Sequence, residues 1–346
     1  MSVALIQEVR FGISFKKQVD LVTALTGSDM WSLRQTNSEL IQSLPVNEDD
    51  AGDYGKGVYP TQTFPSHKLA SGPWNGRVTS EALTQIAAFA FGKCTKTATT
   101  ATGGFKYTIT APVFATDGLD MPAATMAVQI RTGGSAITDK AIIGACCEEF
   151  GVQLTKAPGR DSATFTSQWS GTGQDAKPST ITMPAIYAEH SMNAGALTSL
   201  TLVGFDYLSN KRFVSCNFGM KNNIRPGFFP GSGAQSGYQI EGRKRRGIPQ
   251  FTLNAKVECD SGSSEEDALL SQTVGTGVIT LAGAQIASGP ETHQFKITFQ
   301  RLLVKTTKIS DDDGIATYDV EYAVQQHATN GVITIEAICE QDNILG

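Results

Sequence analysis

Four histidines, six cysteines, two acidic runs and one basic run are the residues whose chemistry this 346-residue chain could use. His67, His190, His293 and His327 lie far apart, with no H-E-x-x-H pattern and no second histidine at metal-ligand spacing. Each is expected at a surface or an interface rather than in a catalytic centre. The cysteines, at 94, 146, 147, 216, 259 and 339, include no C-x-x-C pair, and MSVALIQEVRFGISFKK at the start holds too short an apolar run for a signal peptide. They read as reduced, mostly buried small side chains. Cys146 and Cys147 adjoin in AIIGACCEEFGVQL; neighbours on a strand face opposite ways and make poor joint ligands for one ion. Neither G-x-S-x-G nor G-x-x-x-x-G-K-[ST] occurs. No cofactor or metal is expected, and the chain is not expected to be an enzyme, although its many acids leave open a β-sandwich hydrolase acting on carbohydrate through paired carboxylates.

The acidic runs have structural readings. In SDDDGIA (310–316), Asp313-Gly314 separates two alternating segments, and both residues tolerate positive φ, so a hairpin turn is expected rather than a calcium loop. NEDDAGD (47–53) lacks the twelve-position ligand pattern with its closing glutamate. The basic run Arg243-Lys244-Arg245-Arg246 stands alone in a chain of net charge -5 and has no interleaved aromatics, which is weak support for nucleic-acid binding. A solvated loop is one reading. The preferred one sets these four residues against Glu48, Asp49 and Asp50 of an adjacent copy, an electrostatic match that would fix register between subunits.

The elements carrying these residues are mostly strands. KYTIT (106–110), ATFTSQW (163–169), SLTLVGF (199–205), FKITF (295–299), ATYDVEYAV (316–324) and GVITIEAI (331–338) alternate with period two and are rich in β-branched or aromatic residues. In ATYDVEYAV, Tyr318, Val320, Tyr322 and Val324 share the packed face, opposite Asp319 and Glu321. A helix is expected at TSEALTQIAAFAFG, capped by Thr79 or Ser80 and stopped by Gly92. A second follows Ser263 or Ser264, where Glu265, Glu266 and Asp267 suit a helix N-terminus. Loops at 46–60 and 225–249 are long and glycine-rich, a habit of binding or assembly segments or of plain disorder. Charged residues are only 18%, which suits a surface partly covered by neighbouring copies. No segment reaches the roughly 18 apolar residues that span a bilayer.

Short matches recur in order along the chain. Asn37 precedes Asn217 by 180 (217 minus 37), Leu69 precedes Leu253 by 184 (253 minus 69), and Ala82-Leu83 precedes Ala268-Leu269 by 186 (268 minus 82). Phe105 precedes Phe295 by 190 (295 minus 105), and Val128 precedes Val320 by 192 (320 minus 128), as Ala145-Cys146-Cys147-Glu148 precedes Ala337-Ile338-Cys339-Glu340. The shared order implies a duplicated unit. The expected organisation is an N-terminal arm (1–27), a first β domain (28–175), a linker (176–189) and a second β domain (190–346), mainly β with short flanking helices.

The stretches LRQTNSELIQS, HKLASGPWNGRVTSEALTQIAAFAFG, GGFKYTITAP and KAIIGACCEEFGVQLTKAPGRDSATFTSQWSGTG resemble, in their order of elements, the tail tube (major tail) proteins of long-tailed bacteriophages. The resemblance spans most of 30–175 and, less clearly, 190–346. It implies two tandem β-sandwich or barrel domains, each with a flanking helix. It also implies self-assembly into rings of three duplicated chains, or six chains, stacked as the channel for genome delivery. The tape measure protein and phage DNA would occupy the lumen, with other tail proteins at the ends, and the protein would reside in the virion after assembly in host cytoplasm, with no membrane partner. The basic run at 243–246 is no family signature. A neck, tail-terminator or head-decoration protein is the alternative within the virion.

Overall fold

The computed structural model describes residues 9–19, 23–33, 41–42, 46–49, 63–67, 70–100, 102–112, 120–132, 135–156, 162–176, 181–185, 187–229, 239–245, 247–259, 264–286 and 289–346. The chain is mainly β with two short helices, and most strands join one antiparallel sheet that does not close on itself. The first part contributes β1 (Val9–Ser14), β2 (Met30–Leu33), β3 (Ile41–Gln42), β4 (Val46–Asp49), β5 (Thr63–His67), β6 (Ala70–Pro73) and β7 (Gly76–Arg77). Helix α1 (Ser80–Phe91) follows, then β8 (Lys93–Ala98), β9 (Phe105–Thr110), β10 (Ala124–Thr132), β11 (Ser135–Thr155) and β12 (Ala163–Ala176). The second part holds β13 (Leu197–Leu202), β14 (Phe205–Asp206), β15 (Phe213–Lys221), β16 (Ile224–Phe229), β17 (Gln239–Arg245) and β18 (Gln250–Glu258). Helix α2 (Ser264–Leu270) precedes β19 (Val274–Gln285), β20 (Thr292–Asp312), β21 (Ile315–Val324) and β22 (Ile333–Cys339).

Local chemistry explains several boundaries. Thr79 is extended and its hydroxyl accepts from the Ala82 N–H at 3.2 Å, while Gly92 takes the left-handed conformation (φ 81°) that ends α1. Asp313 (φ 53°) and Gly314 (φ 83°) form the expected hairpin between β20 and β21. SLTLVGF is shorter as a strand than its alternation suggests, because Val203 (φ 52°) and Gly204 (φ 87°) turn the chain back into β14. Residues 9–14, placed by the sequence reading in a terminal arm, are instead a sheet strand paired with β10 on one side and β2 on the other.

The pairing order of the first part recurs in the second. Strand β2 pairs with β1, β1 with β10, β10 with β11, β11 with β12, and β12 with β6 and β7. In the same way β14 pairs with β13, β13 with β19, β19 with β20, β20 with β21, and β21 with β18. Strand β3 pairs with β6 as β15 pairs with β18, and each part inserts a separate two-stranded hairpin, β4/β5 or β16/β17, at the same place. This corrects the residue correspondences read from sequence beyond the helix. Phe105 and Phe295 lie on β9 and β20, whereas the pairing matches β20 with β11; β8 and β9 are extra to the first part, and β22 to the second.

One hydrophobic core runs through both parts, from Phe11 to Ile344. Helix α1 is buried along its whole length, packed on β11, β22, β20, β9 and β8, so it lies inside the molecule rather than on one sheet face. Cys146 and Cys147 are both fully buried on opposite faces of β11, Cys147 in the main core and Cys146 against Met121 and Ala123. Along β21, Tyr318, Val320 and Tyr322 are buried while Asp319 is exposed. All six cysteines are thiols. No helix among the described residues is long and apolar enough to cross a membrane.

Candidate functional site

The chemistry of the molecule concentrates where the two parts meet. Two strand pairs form the joint: β11 with β15, from Glu149↔Lys221 to Thr155↔Ser215, and β22 with β9, from Thr334↔Thr110 to Cys339↔Phe105. Main-chain hydrogen bonds thus carry the sheet across the boundary without a break, and they do so independently of side-chain identity. The β11–β15 pair is covered on its inner face by β19 and β20, with Val152, Leu154, Cys216 and Phe218 meeting Ile279, Leu281, Phe295 and Ile297. Phe218 packs edge-on to Phe150 and Phe299, with ring centroids 6.0 and 5.5 Å away. On the outer margin Lys221 and Glu149 form an exposed ion pair at 2.6 Å, worth little in stability.

A polar cluster lies at the start of α1, in the same joint. Glu81, fully buried, accepts from the His190 main-chain N–H at 3.1 Å and lies 2.7 Å from His190 Nδ1. Residues 190–192 run beside 78–80, since Ser80 donates to the His190 carbonyl and Met192 to the Val78 carbonyl. His293, on β20, is fully buried, its ring stacked on that of His190 with centroids 3.8 Å apart and planes 19° from parallel. Its Nδ1 is 2.9 Å from the Ser80 hydroxyl, and its Nε2 has no hydrogen-bond partner, the nearest acid being Glu340 at 3.9 Å. Burial pushes the His293 pKa down, Glu81 opposes that, and His190 adds to it. The expectation of surface or interface histidines therefore fails for His293. Strands β20 and the 187–190 segment bring together two histidines that sequence spacing keeps apart. His190, 32% exposed, and half-buried His327, whose Nδ1 accepts from the Thr329 and Asn330 N–H groups in a turn, both reach the surface.

Glu81, His190 and His293 offer three donor atoms within 4.8 Å of one another, the kind of set that holds zinc. Their geometry suits hydrogen bonding better. Imidazole lone pairs lie in the ring plane, so stacked rings present them side by side instead of converging on one point. A cation would also meet the positive end of α1. The cluster works as a staple, tying α1 of the first part to the connecting segment and to β20 of the second.

Helix α2 begins the same way. Ser264-Glu265 corresponds to Ser80-Glu81 with a spacing of 184 (265 minus 81), and Glu265 is again fully buried. Its partner is Arg212, 6% exposed, whose Nη1 is 2.9 Å from the carboxylate while its Nε donates to the Glu258 carbonyl at 2.7 Å. The repeated Ser-Glu is a sequence signal for this acid that the match at a spacing of 186 passed over. Its two different partners have no such signal.

The structure puts the remaining candidates on the paired hairpins. Glu48 and Asp49 are on β4; Arg243, Lys244 and Arg245 are on β17, opposite Pro226, Arg225 and Ile224; Asp50 and Arg246 lie outside the described residues. Within one chain β4 pairs with β5 and β17 with β16, so the acidic and basic runs do not share a strand pair. No family model matches the chain, and no curated protein is significantly similar to it.

Proposed function

We propose that the chain is a tandem duplication of one sheet-plus-helix unit and a structural protein that assembles with itself, in the manner of a phage tail tube. The observation that carries this is the joint. One unit binds the next by strand pairing through β11 and β15, a mode that any further copy of the unit can repeat. The recurring pairing order and the Ser-Glu at the head of both helices support duplication. A head-to-tail contact of this type generates a closed ring when its rotation closes, and stacked rings make a tube. Edge-to-edge joining also removes exposed strand edges that otherwise invite aggregation. The low share of charge, 18%, suits subunits that cover one another, and the net charge of -5 would keep a passing polyanion from sticking to the channel wall. In this reading the acidic β4 and basic β17 hairpins meet between copies or between rings.

Electron microscopy of concentrated protein, with sedimentation velocity across a dilution series, tests the reading. Rings or tubes in place of monomer are expected. Single rings that never stack would move the assignment to a neck, terminator or decoration protein, and a monomer at every concentration would overturn it.

A further inference from the structure

The recurrence of strand pairing makes one edge of the second part conspicuous. In the first part, Ile142 of β11 pairs with Met126 of β10 on one side and Gly173 of β12 on the other. Beyond Ala145 strand β10 stops, and β15 occupies its side of β11 from Glu149 to Thr155 while β12 continues opposite to Leu154. In the second part, Leu302 and Leu303 of β20 pair with Gly275 and Val274 of β19 on one side and with Val324 and Ala323 of β21 on the other. Beyond Leu303 strand β19 stops and β21 continues to Asp312, but no described strand takes the vacated side. The segment from Lys305 to Asp312 therefore stands where the β15 acceptor stands in the first part.

We propose that this edge of β20 accepts a strand from a second copy of the chain, the counterpart of β15, namely the edge of β3. The proposal rests on the self-assembly reading and names its contact. Strand β3 pairs with β6 as β15 pairs with β18, and among the described residues no second strand is hydrogen-bonded to it. Donor and acceptor lie in different parts of the chain, so the contact propagates head to tail.

Exposed apolar side chains supply a second, independent observation. Of the six large hydrophobics left exposed among the described residues, four are Leu270 (82%), Val274 (47%), Ile309 (62%) and Ile315 (51%). They lie at the end of α2, the adjoining start of β19, the open segment of β20 and the hairpin that closes it. The counterpart helix α1 is wholly buried because the second part covers it. The docked copy would cover α2 and this edge likewise. Lys305 and Lys308 on the same segment are the residues that natural sheets use to discourage wrong edge pairing.

The hairpin geometry says which amides are offered. Asp312↔Ile315 closes a two-residue turn as a hydrogen-bonded pair, so alternation turns the N–H groups of Asp311, Ile309 and Thr307 outward. Ile309→Pro removes one outward donor and leaves the ladder to β21 intact, a position where an edge strand tolerates proline. The expected result is a monomer with unchanged circular dichroism whose assembly, followed by sedimentation, needs at least about tenfold more protein than wild type. Hydrogen exchange on wild-type protein is the companion measurement: amides of 305–312 should exchange at least about tenfold more slowly in assembled than in dilute protein. Assembly of Ile309→Pro at wild-type concentration, or unchanged exchange at 305–312 in protein that does assemble, overturns the named contact and spares the self-assembly reading. A wild-type chain that never associates removes both.

Discussion

Replacing Arg212 with alanine tests whether the buried acid at the start of a helix governs the stability of its unit. Glu265 has no solvent exposure, Arg212 only 6%, and the guanidinium also holds the Glu258 carbonyl and lies 5.8 Å from the Tyr207 ring centre. Removing the cation leaves a carboxylate desolvated and unpaired, which costs about 3–5 kcal/mol where such pairs have been broken. The first-turn position on α2 offsets about 0.3–1 kcal/mol of that through the helix dipole. The expected loss at neutral pH is thus about 3 kcal/mol, read as a lower urea midpoint at unchanged slope. The double substitution Arg212→Met with Glu265→Leu should lie closer to wild type than Arg212→Ala alone, since it removes both charges and keeps the volume. A loss below about 1 kcal/mol for Arg212→Ala would refute the reasoning, as it would place the pair among solvent-screened ion pairs.

Three further outcomes follow from the same contacts. Because the folded-state pKa of His293 is lowered, the unfolded chain takes up this proton first; stability should fall as the pH drops below about 6.5 and on through the folded value, by up to about 1.4 kcal/mol per pH unit, and His293→Gln should flatten that part of a urea-midpoint profile. Gly171→Ala should destabilise by about 1–3 kcal/mol in the same assay, since a Cβ there would lie 2.4 Å from Ile142 Cγ2 and 2.6 Å from the Ile143 carbonyl; a neutral result would mean that β11 shifts freely at its bulge. Cys216 and Cys339, their thiols pushed up to about 12 by burial, should resist alkylation at pH 8 until the protein is unfolded, and labelling at the rate of an exposed thiol would contradict the core described above.

Much of the fold could be read from local pattern. Alternation found β9, β12, β20, β21 and β22, Thr79 and Gly92 bounded α1, and Asp313-Gly314 marked the β20–β21 turn, because in each case the physics acts between near neighbours. Strand pairing is nonlocal, so the correspondence beyond the helix was misread: apolar words recur on any half-buried strand, and Phe105 matched Phe295 without sharing a place in the sheet. The His190–His293 stack was invisible for the same reason, since it depends on a connecting segment lying beside α1. The open edge on β20 could not be seen at all without the strand pairing of both parts, since an unpaired strand and a paired one alternate alike.

The most direct test of the account is the rotational symmetry of assembled particles, measured by cryo-electron microscopy with the number of chains per ring fixed independently by mass. If each chain contributes two equivalent units to one continuous wall, low-resolution density will show twice as many units around the ring as there are chains. A ring whose units equal its chains, or density that places the first and second parts in different environments, would contradict it.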